Sequence, residues 1–342
     1  QNSDGSWGHW RHPMDADWPV LETQRSFQVA TTGLGCMAMM EAGRDPAHFL
    51  ALDRGIDYLL ENAAVKRPGD WDTDNVWGYL YGLASLAEAS GFPRYRESVQ
   101  EPRRKGIRAM GGTLLRRLDA YQTPLGGWGY YDVHTYTRRP TWATSFCTAV
   151  GVLGILSARK AGWEVDEERL ERAVRALARC RLPSGAFAYD VAAIPAPDGL
   201  DGLNQVKGSL SRIQAGNLAL QRAKEAGLGP GSTPRDLLWG IRVFFQDHRF
   251  LDIARLRPIP HEAFYYNSGY FYFFGHFYAA TILGLLPEKE RRRFAPRLWE
   301  EVLKTQASDG SMWDFYMNDF GKPYGVAFGV LALQRSLDSV TD

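Results

Sequence analysis

Apolar and polar positions along this chain fall into two alternating kinds of segment. The first kind mixes small residues and aromatics with aliphatics at helical spacing, carries few charges before its last turn, and usually ends at Gly. Six such segments occur, at residues 25–43, 74–91, 141–162, 207–227, 265–286 and 323–337. Most begin near Ser, Thr or Asp, whose side-chain oxygens cap a helix N-terminus, and Gly suits the left-handed position that closes one. A helix that is apolar nearly all round is a buried helix. The second kind, at 46–63, 98–118, 166–181, 234–245 and 287–306, is amphipathic and charged. Acids follow Val165 in a first turn, where the helix dipole favours them. These segments read as outer helices with one wet face.

Inner and outer segments repeat about every 50 to 70 residues, and no pair can bury its apolar face alone, so the pairs must stack. Six pairs close into a ring. The expected fold is therefore all-α: an α/α toroid of about six inner and five to six outer helices, forming a single domain over 1–342. A sixth outer helix is missing from the pattern and is expected to precede Gln1 or to be replaced by something short. No strand alternation competes with this reading. The Pro/Gly-rich stretch 194–208 reads as a loop within the ring.

The loops after the outer segments share a motif. Gln1-Asn-Ser-Asp-Gly-Ser-Trp7-Gly is one copy, Gln122-Thr-Pro-Leu-Gly-Gly-Trp128-Gly a second, and Gln306-Ala-Ser-Asp-Gly-Ser-Met-Trp313 nearly a third. Arg181-Leu-Pro-Ser-Gly-Ala-Phe187 is weaker, and Arg67-Pro-Gly-Asp-Trp71 is a remnant. Gly supplies a tight turn, the Gln side chain can bond loop backbone, and the ring plugs the gap between neighbouring helix pairs. These copies resemble the QW repeats of squalene-hopene cyclases and the related repeats of protein prenyltransferases. The resemblance covers most of the chain and implies the terpenoid cyclase and protein prenyltransferase superfamily. Its residues are structural, and fold does not imply function.

Composition narrows the function classes. Aromatics make up 13% of the chain, enough either for a large core or for a ring-lined cavity. The formal net charge of +1 excludes a general electrostatic nucleic-acid binder, and the runs Arg103-Arg104-Lys105 and Arg291-Arg292-Arg293 read as solvated helix faces. Cys36, Cys147 and Cys180 form no paired motif, and no disulfide scaffold or metal site is expected. No apolar run reaches the length of a membrane span. The chain starts at Gln1, as a processed or trimmed product would, and its compartment is not readable.

Candidate chemistry starts at Asp72-Thr-Asp74-Asn75, where an inner helix begins. Class II terpenoid cyclases carry an Asp-x-Asp-Asp protonating motif at such a place. Carried over, the resemblance implies Asp74 as the acid and Asp72 as its hydrogen-bonding neighbour, although Asn75 stands where the motif has a third Asp. Adjacent carboxyls raise one another's pKa. The plainer reading is a helix cap. Trp77, Tyr81, Tyr266, Tyr270 and His276 are expected to face a central cavity as ligand-binding residues, with Tyr131 at the rim and Arg212 opening the fourth inner helix toward an anion or an acid such as Asp190. His276 loosely resembles the zinc-ligand histidine of prenyltransferases, yet Ser145 stands where that family has Asp before its Cys. His9, His12 and Asp15 fit no strong metal spacing. No metal and no cofactor are expected.

The leading expectation is a cyclase-like toroid holding a hydrophobic, isoprenoid-type small molecule or lipid, with room for a protein partner. Catalytic activity itself is left open. The alternatives are a noncatalytic ligand- or protein-binding toroid, and a carbohydrate-active lyase or hydrolase, for which Tyr, His, Arg and Trp at the rim suit sugars. A prenyltransferase would need a zinc site that these residues do not assemble.

Overall fold

The computed structural model describes residues 1–8, 21–66, 76–96, 101–130, 140–196, 202–315 and 321–341. Its inner helices are α1 (Leu21–Ala42), α3 (Val76–Gly91), α6 (Ser145–Lys160), α8 (Leu210–Glu225), α11 (Phe271–Leu283) and α13 (Gly321–Thr341). They pack in that order, and α13 returns against α1, so the ring closes. The outer helices are α2 (Pro46–Asn62), α5 (Glu101–Tyr121), α7 (Glu167–Arg179), α9 (Pro234–Gln246) and α12 (Glu288–Leu303). Two short helices, α4 (Pro93–Arg96) and α10 (Arg249–Ala254), were not legible as separate elements. The described residues therefore form an α/α toroid of six inner and five outer helices.

Local chemistry sets the boundaries. Asp45 and Thr233 build capping boxes with Pro at the first turn, and Thr144 and Asp166 cap α6 and α7 through their side chains. One expected boundary moves. The fifth inner helix begins at Phe271 rather than near Tyr265, because Tyr265 and Tyr266 sit at φ 59° and 55°, a left-handed conformation that no α-helix contains. The run Arg103-Arg104-Lys105 lies on α5, where Arg103 pairs with Asp57 and Arg104 with Glu101.

The repeat loops are the joints of the ring. Gly5, Gly126, Gly185 and Gly310 all turn at positive φ, as the motif requires. Gln1 Nε2 donates to the carbonyls of Gly5 and Ala51, and Gln122 Nε2 to those of Gly126 and Arg169, so each Gln ties its loop to an outer helix. The plug residue then lies on a glycine of the next inner helix. A Cβ on that glycine would come within 3.0 Å of Trp7 at Gly35, 2.7 Å of Trp128 at Gly151, 2.4 Å of Phe187 at Gly216 and 2.6 Å of Met312 at Gly329. Met312, not Trp313, is thus the plug of the last loop: it stands six residues after Gln306, the spacing of the other copies. The remnant at 67–71 lies outside the described residues. At the seam between α13 and α1, Arg335 clamps Glu41 through Nε at 2.9 and 3.0 Å, donates to Thr281 at 3.0 Å, and lies over the ring of Phe277.

Candidate functional site

The inner helices run in one direction, and their N-terminal halves wall a cavity of about 260 Å³. Phe27, Thr31 and Leu34 of α1, Trp77 and Tyr81 of α3, Phe146 of α6, Phe271 and Phe274 of α11, and Tyr324 and Phe328 of α13 supply most of the wall. Trp77 and Tyr81 are one helical turn apart and stack at 6.0 Å, and Trp77 also stacks on Phe146 at 5.9 Å. Among the described residues the polar groups on the wall are few: the hydroxyls of Thr31, Tyr81, Tyr130, Tyr270 and Tyr324, the indole N–H of Trp77 and the imidazole of His261. The C-terminal halves surround a second, larger chamber of about 630 Å³ that includes Glu88, Arg222 and Arg335. Tyr81 lines both spaces and stands between them.

His261 is the centre of the polar end. It lies on the connection from α10 to α11, at φ 63°, in a stretch where Leu256, Tyr265 and Tyr266 are left-handed as well. Non-glycine residues held this way cost about 1–3 kcal/mol each and persist only where surrounding contacts over-determine them. Those contacts are visible. Leu256 N donates to the Asp314 carbonyl at 2.7 Å, His261 N to Ser268 Oγ at 2.9 Å, and Asn267 Nδ2 to the Lys207 carbonyl at 2.8 Å. Because Nδ1 of His261 lies 2.6 Å from the Tyr266 carbonyl, which only accepts, Nδ1 carries the proton. Nε2 then offers a lone pair, which accepts from Tyr270 Oη at 3.0 Å, with Tyr189 Oη at 3.4 Å. Tyr189 is in turn hydrogen-bonded to Tyr130. Burial holds His261 below the usual imidazole range, against the pull of the Tyr266 carbonyl, and the charge of Arg212 adds to the depression. Burial raises Tyr189 and Tyr270, so both remain neutral phenols. The arrangement is a neutral imidazole whose lone pair accepts from Tyr270, ringed by hydroxyls, above aromatic walls.

The expected site residues divide. Trp77, Tyr81 and Tyr270 lie on the cavity wall. Arg212 is fully buried behind it. Its guanidinium donates to the carbonyls of Phe187 and Leu203 and lies over the ring of Tyr189, so it braces the wall. Tyr266 is half exposed and contributes its backbone carbonyl. His276 is a correction: it is fully buried between α9, α10 and α11. Nδ1 bonds the Tyr272 carbonyl at 2.8 Å and Nε2 the imidazole of His248 at 3.0 Å, away from the cavity. Asp72, Asp74 and Tyr131 lie outside the described residues, as do His9, His12 and Asp15. Among the described residues one group, His248, Asp252 and Glu301, brings ligand atoms within reach of a single ion. The ammonium of Lys304 already bridges its two carboxylates, at 3.0 Å from Asp252.

Three groups escaped sequence reasoning. His261 sits in an aperiodic Pro-rich loop. Tyr189 follows the weakest loop copy. Asp314 lies two residues beyond the plug Met312, where the first two good copies carry His9 and Tyr130 and no carboxyl.

No protein-family model matches the chain, and no curated protein matches it in sequence. Solved structures align with nearly all of it. The GH76A α-1,6-mannanase from Salegentibacter sp. HEL1_6 superposes with a TM-score of 0.58 at 13% identity, covering 99% of this chain and 94% of that one. The cellobiose 2-epimerase from Spirochaeta thermophila DSM 6192 gives 0.56 at 12% identity, covering 93% and 87%. A D-mannose isomerase gives 0.56 at 11%, covering 92% and 86%. Identities this low establish a shared architecture, the α/α toroid, and no more. The narrower likeness to terpenoid cyclases is not what these structures show. No described helix is long and apolar enough to cross a membrane.

Proposed function

We propose that the chain is a carbohydrate-active toroid that binds a sugar ring in the N-terminal cavity and performs proton transfer on it. One observation carries this reading: the neutral imidazole of His261, its Nε2 lone pair held among the hydroxyls of Tyr130, Tyr189 and Tyr270 above stacked aromatic rings. Aromatic faces take the C–H faces of a pyranose, and phenol hydroxyls both donate to and accept from sugar hydroxyls. A neutral imidazole suits abstraction of a proton near pH 7. The named functions of the similarly folded mannanase, epimerase and isomerase support a sugar as the ligand. Proton abstraction next to a sugar carbonyl, as in an epimerase, isomerase or lyase, uses the groups this wall presents.

Calorimetric titration with D-mannose, D-glucose, cellobiose and α-1,6-mannobiose tests the reading. Binding by at least one sugar is expected, weakened about tenfold or more in Trp77→Ala, where stacking area is lost. His261→Asn keeps a residue that tolerates left-handed backbone and is expected to remove turnover while the fold persists. Failure of every sugar to bind refutes the reading.

A second reading rests on the scarcity of polar atoms along the walls. An isoprenoid-type ligand would fill an aromatic cavity well, and rings stabilise carbocations through their faces. In it Asp74, seconded by Asp72, is the protonating acid. Failure of geranylgeraniol to bind in calorimetric titration, or retention of turnover in Asp74→Ala, refutes this reading.

A further inference from the structure

Asp314 is a carboxyl that the reading above does not use. It is completely buried in the loop that follows the plug Met312. Oδ2 accepts from the backbone N–H of Phe273 at 3.1 Å, in the first turn of α11, so the residue caps that helix from outside. Capping accounts for one oxygen. The other, Oδ1, accepts the hydroxyl of Tyr324, and Tyr324 stands on the cavity wall with His261 and Tyr270. A carboxyl without access to water is thus connected to the cavity through one phenol.

We propose that Tyr324 delivers a proton to the sugar bound in the cavity and that Asp314, behind it, restores that proton. This rests on the carbohydrate reading and completes it: His261 takes a proton and Tyr324 returns one. The carbon–hydrogen bond beside the carbonyl of the open-chain sugar breaks, its electron pair moves to the carbonyl oxygen, and the proton goes to His261 Nε2. The enolate then collapses, a new carbon–hydrogen bond forms with the proton of Tyr324 Oη, and the phenolate takes the proton of Asp314. His261 has gained one proton and Asp314 has lost one; His261 gives its proton to water in the cavity, and Asp314 regains one from that water through Tyr324 Oη.

The groups around Asp314 permit this. Burial pushes its carboxyl up to about 7, and the Tyr324 hydroxyl, the Phe273 amide and the charge of Arg255 only partly oppose that. Arg255 is engaged with the Trp313 carbonyl at 3.0 Å, and Tyr272 also faces Asp314, while Tyr270 faces Tyr324. Burial and the facing Asp314 raise Tyr324 well above the usual phenol range, so its phenolate regains a proton readily after each transfer. Asp314 acts through Tyr324 and is a positioning and recharging residue; Tyr324 is the catalytic one.

The test is wash-in of solvent deuterium at the carbon beside the carbonyl, C2 of D-mannose and of the reducing unit of cellobiose and C1 of D-fructose, followed by proton NMR in D₂O across pH 5 to 9 on the full chain. Wild type is expected to exchange, with a rate that falls above pH ~7 as Asp314 loses its proton. Tyr324→Phe keeps the ring packing and is expected to slow exchange by about 10²-fold or more. Asp314→Asn is expected to abolish the alkaline fall. Far-UV circular dichroism establishes that each variant is folded, and Tyr324→Phe carries the test alone if Asp314→Asn is not. Exchange in wild type with both rate and pH profile unchanged in the variants overturns the relay and leaves the carbohydrate reading standing. No exchange with any of the three sugars overturns both.

Discussion

Two glycines one turn apart on α6 should respond in opposite senses to the same substitution. At Gly151 an added Cβ would lie 2.7 and 2.8 Å from two ring carbons of Trp128, well inside the ~3.5 Å at which carbon atoms meet. The ring cannot yield: it is 1% exposed, its Nε1 donates to the Leu118 carbonyl at 2.8 Å, and its backbone N donates to Thr148 Oγ1 at 3.2 Å. The helix must back away from the loop, and Gly151→Ala is expected to destabilise by about 1–3 kcal/mol. At Gly154 the nearest atom to a new Cβ is Leu83 Cδ2 at 3.6 Å, an ordinary contact. There Ala adds helix propensity at no steric cost, and Gly154→Ala is expected to stabilise by about 0.5–1 kcal/mol. The two variants should therefore differ by about 1.5–4 kcal/mol in urea unfolding, and by several degrees in melting temperature. If they unfold within ~0.5 kcal/mol of each other, the plug contact is not the rigid joint described here.

Three further outcomes are expected. Arg335→Ala leaves Glu41 unpaired at the ring seam, and with both side chains about a fifth exposed the loss should be about 2–3 kcal/mol by urea unfolding. Tyr266→Gly relieves a left-handed backbone while removing a half-exposed ring, and should raise the melting temperature without weakening sugar binding. Asp314 has a folded pKa of about 7, above the ~3.9 of an unfolded Asp, so its contribution is present at low pH and is lost as pH rises from about 4 through 7. The stability of Asp314→Asn relative to wild type should accordingly increase across that window, as thermal melts at pH 4, 6 and 8 would show; a flat difference would place the carboxyl in contact with water.

The ring was legible because its physics is periodic. Apolar inner helices, wet outer helices and the Gln–Gly–plug loops each repeat, and each repeat can be checked against the others. Even the plug at Met312 follows from its distance to Gln306, although Trp313 draws the eye. The cavity walls Trp77 and Tyr81 were readable as aromatics at helical spacing on an inner helix. The polar end was not. His261 reaches the cavity only because four left-handed residues bend an aperiodic loop inward, and nothing in a one-dimensional pattern marks a Leu, His or Tyr as left-handed. His276 misled for the converse reason: on a helix apolar all round, the sequence does not say which side faces the centre, and this imidazole faces outward to His248. The comparison of loops pointed toward cyclases because the joints of a toroid are constrained by packing, whatever chemistry the cavity performs.

Tyr81 gives the cavity a bottom, and the bottom sets a length. Five residues separate it from Val76, the first residue of α3, a rise of about 7.5 Å along the helix. Replacing Tyr81 by a small residue would join the two chambers along the axis, turning a closed cup into a tube.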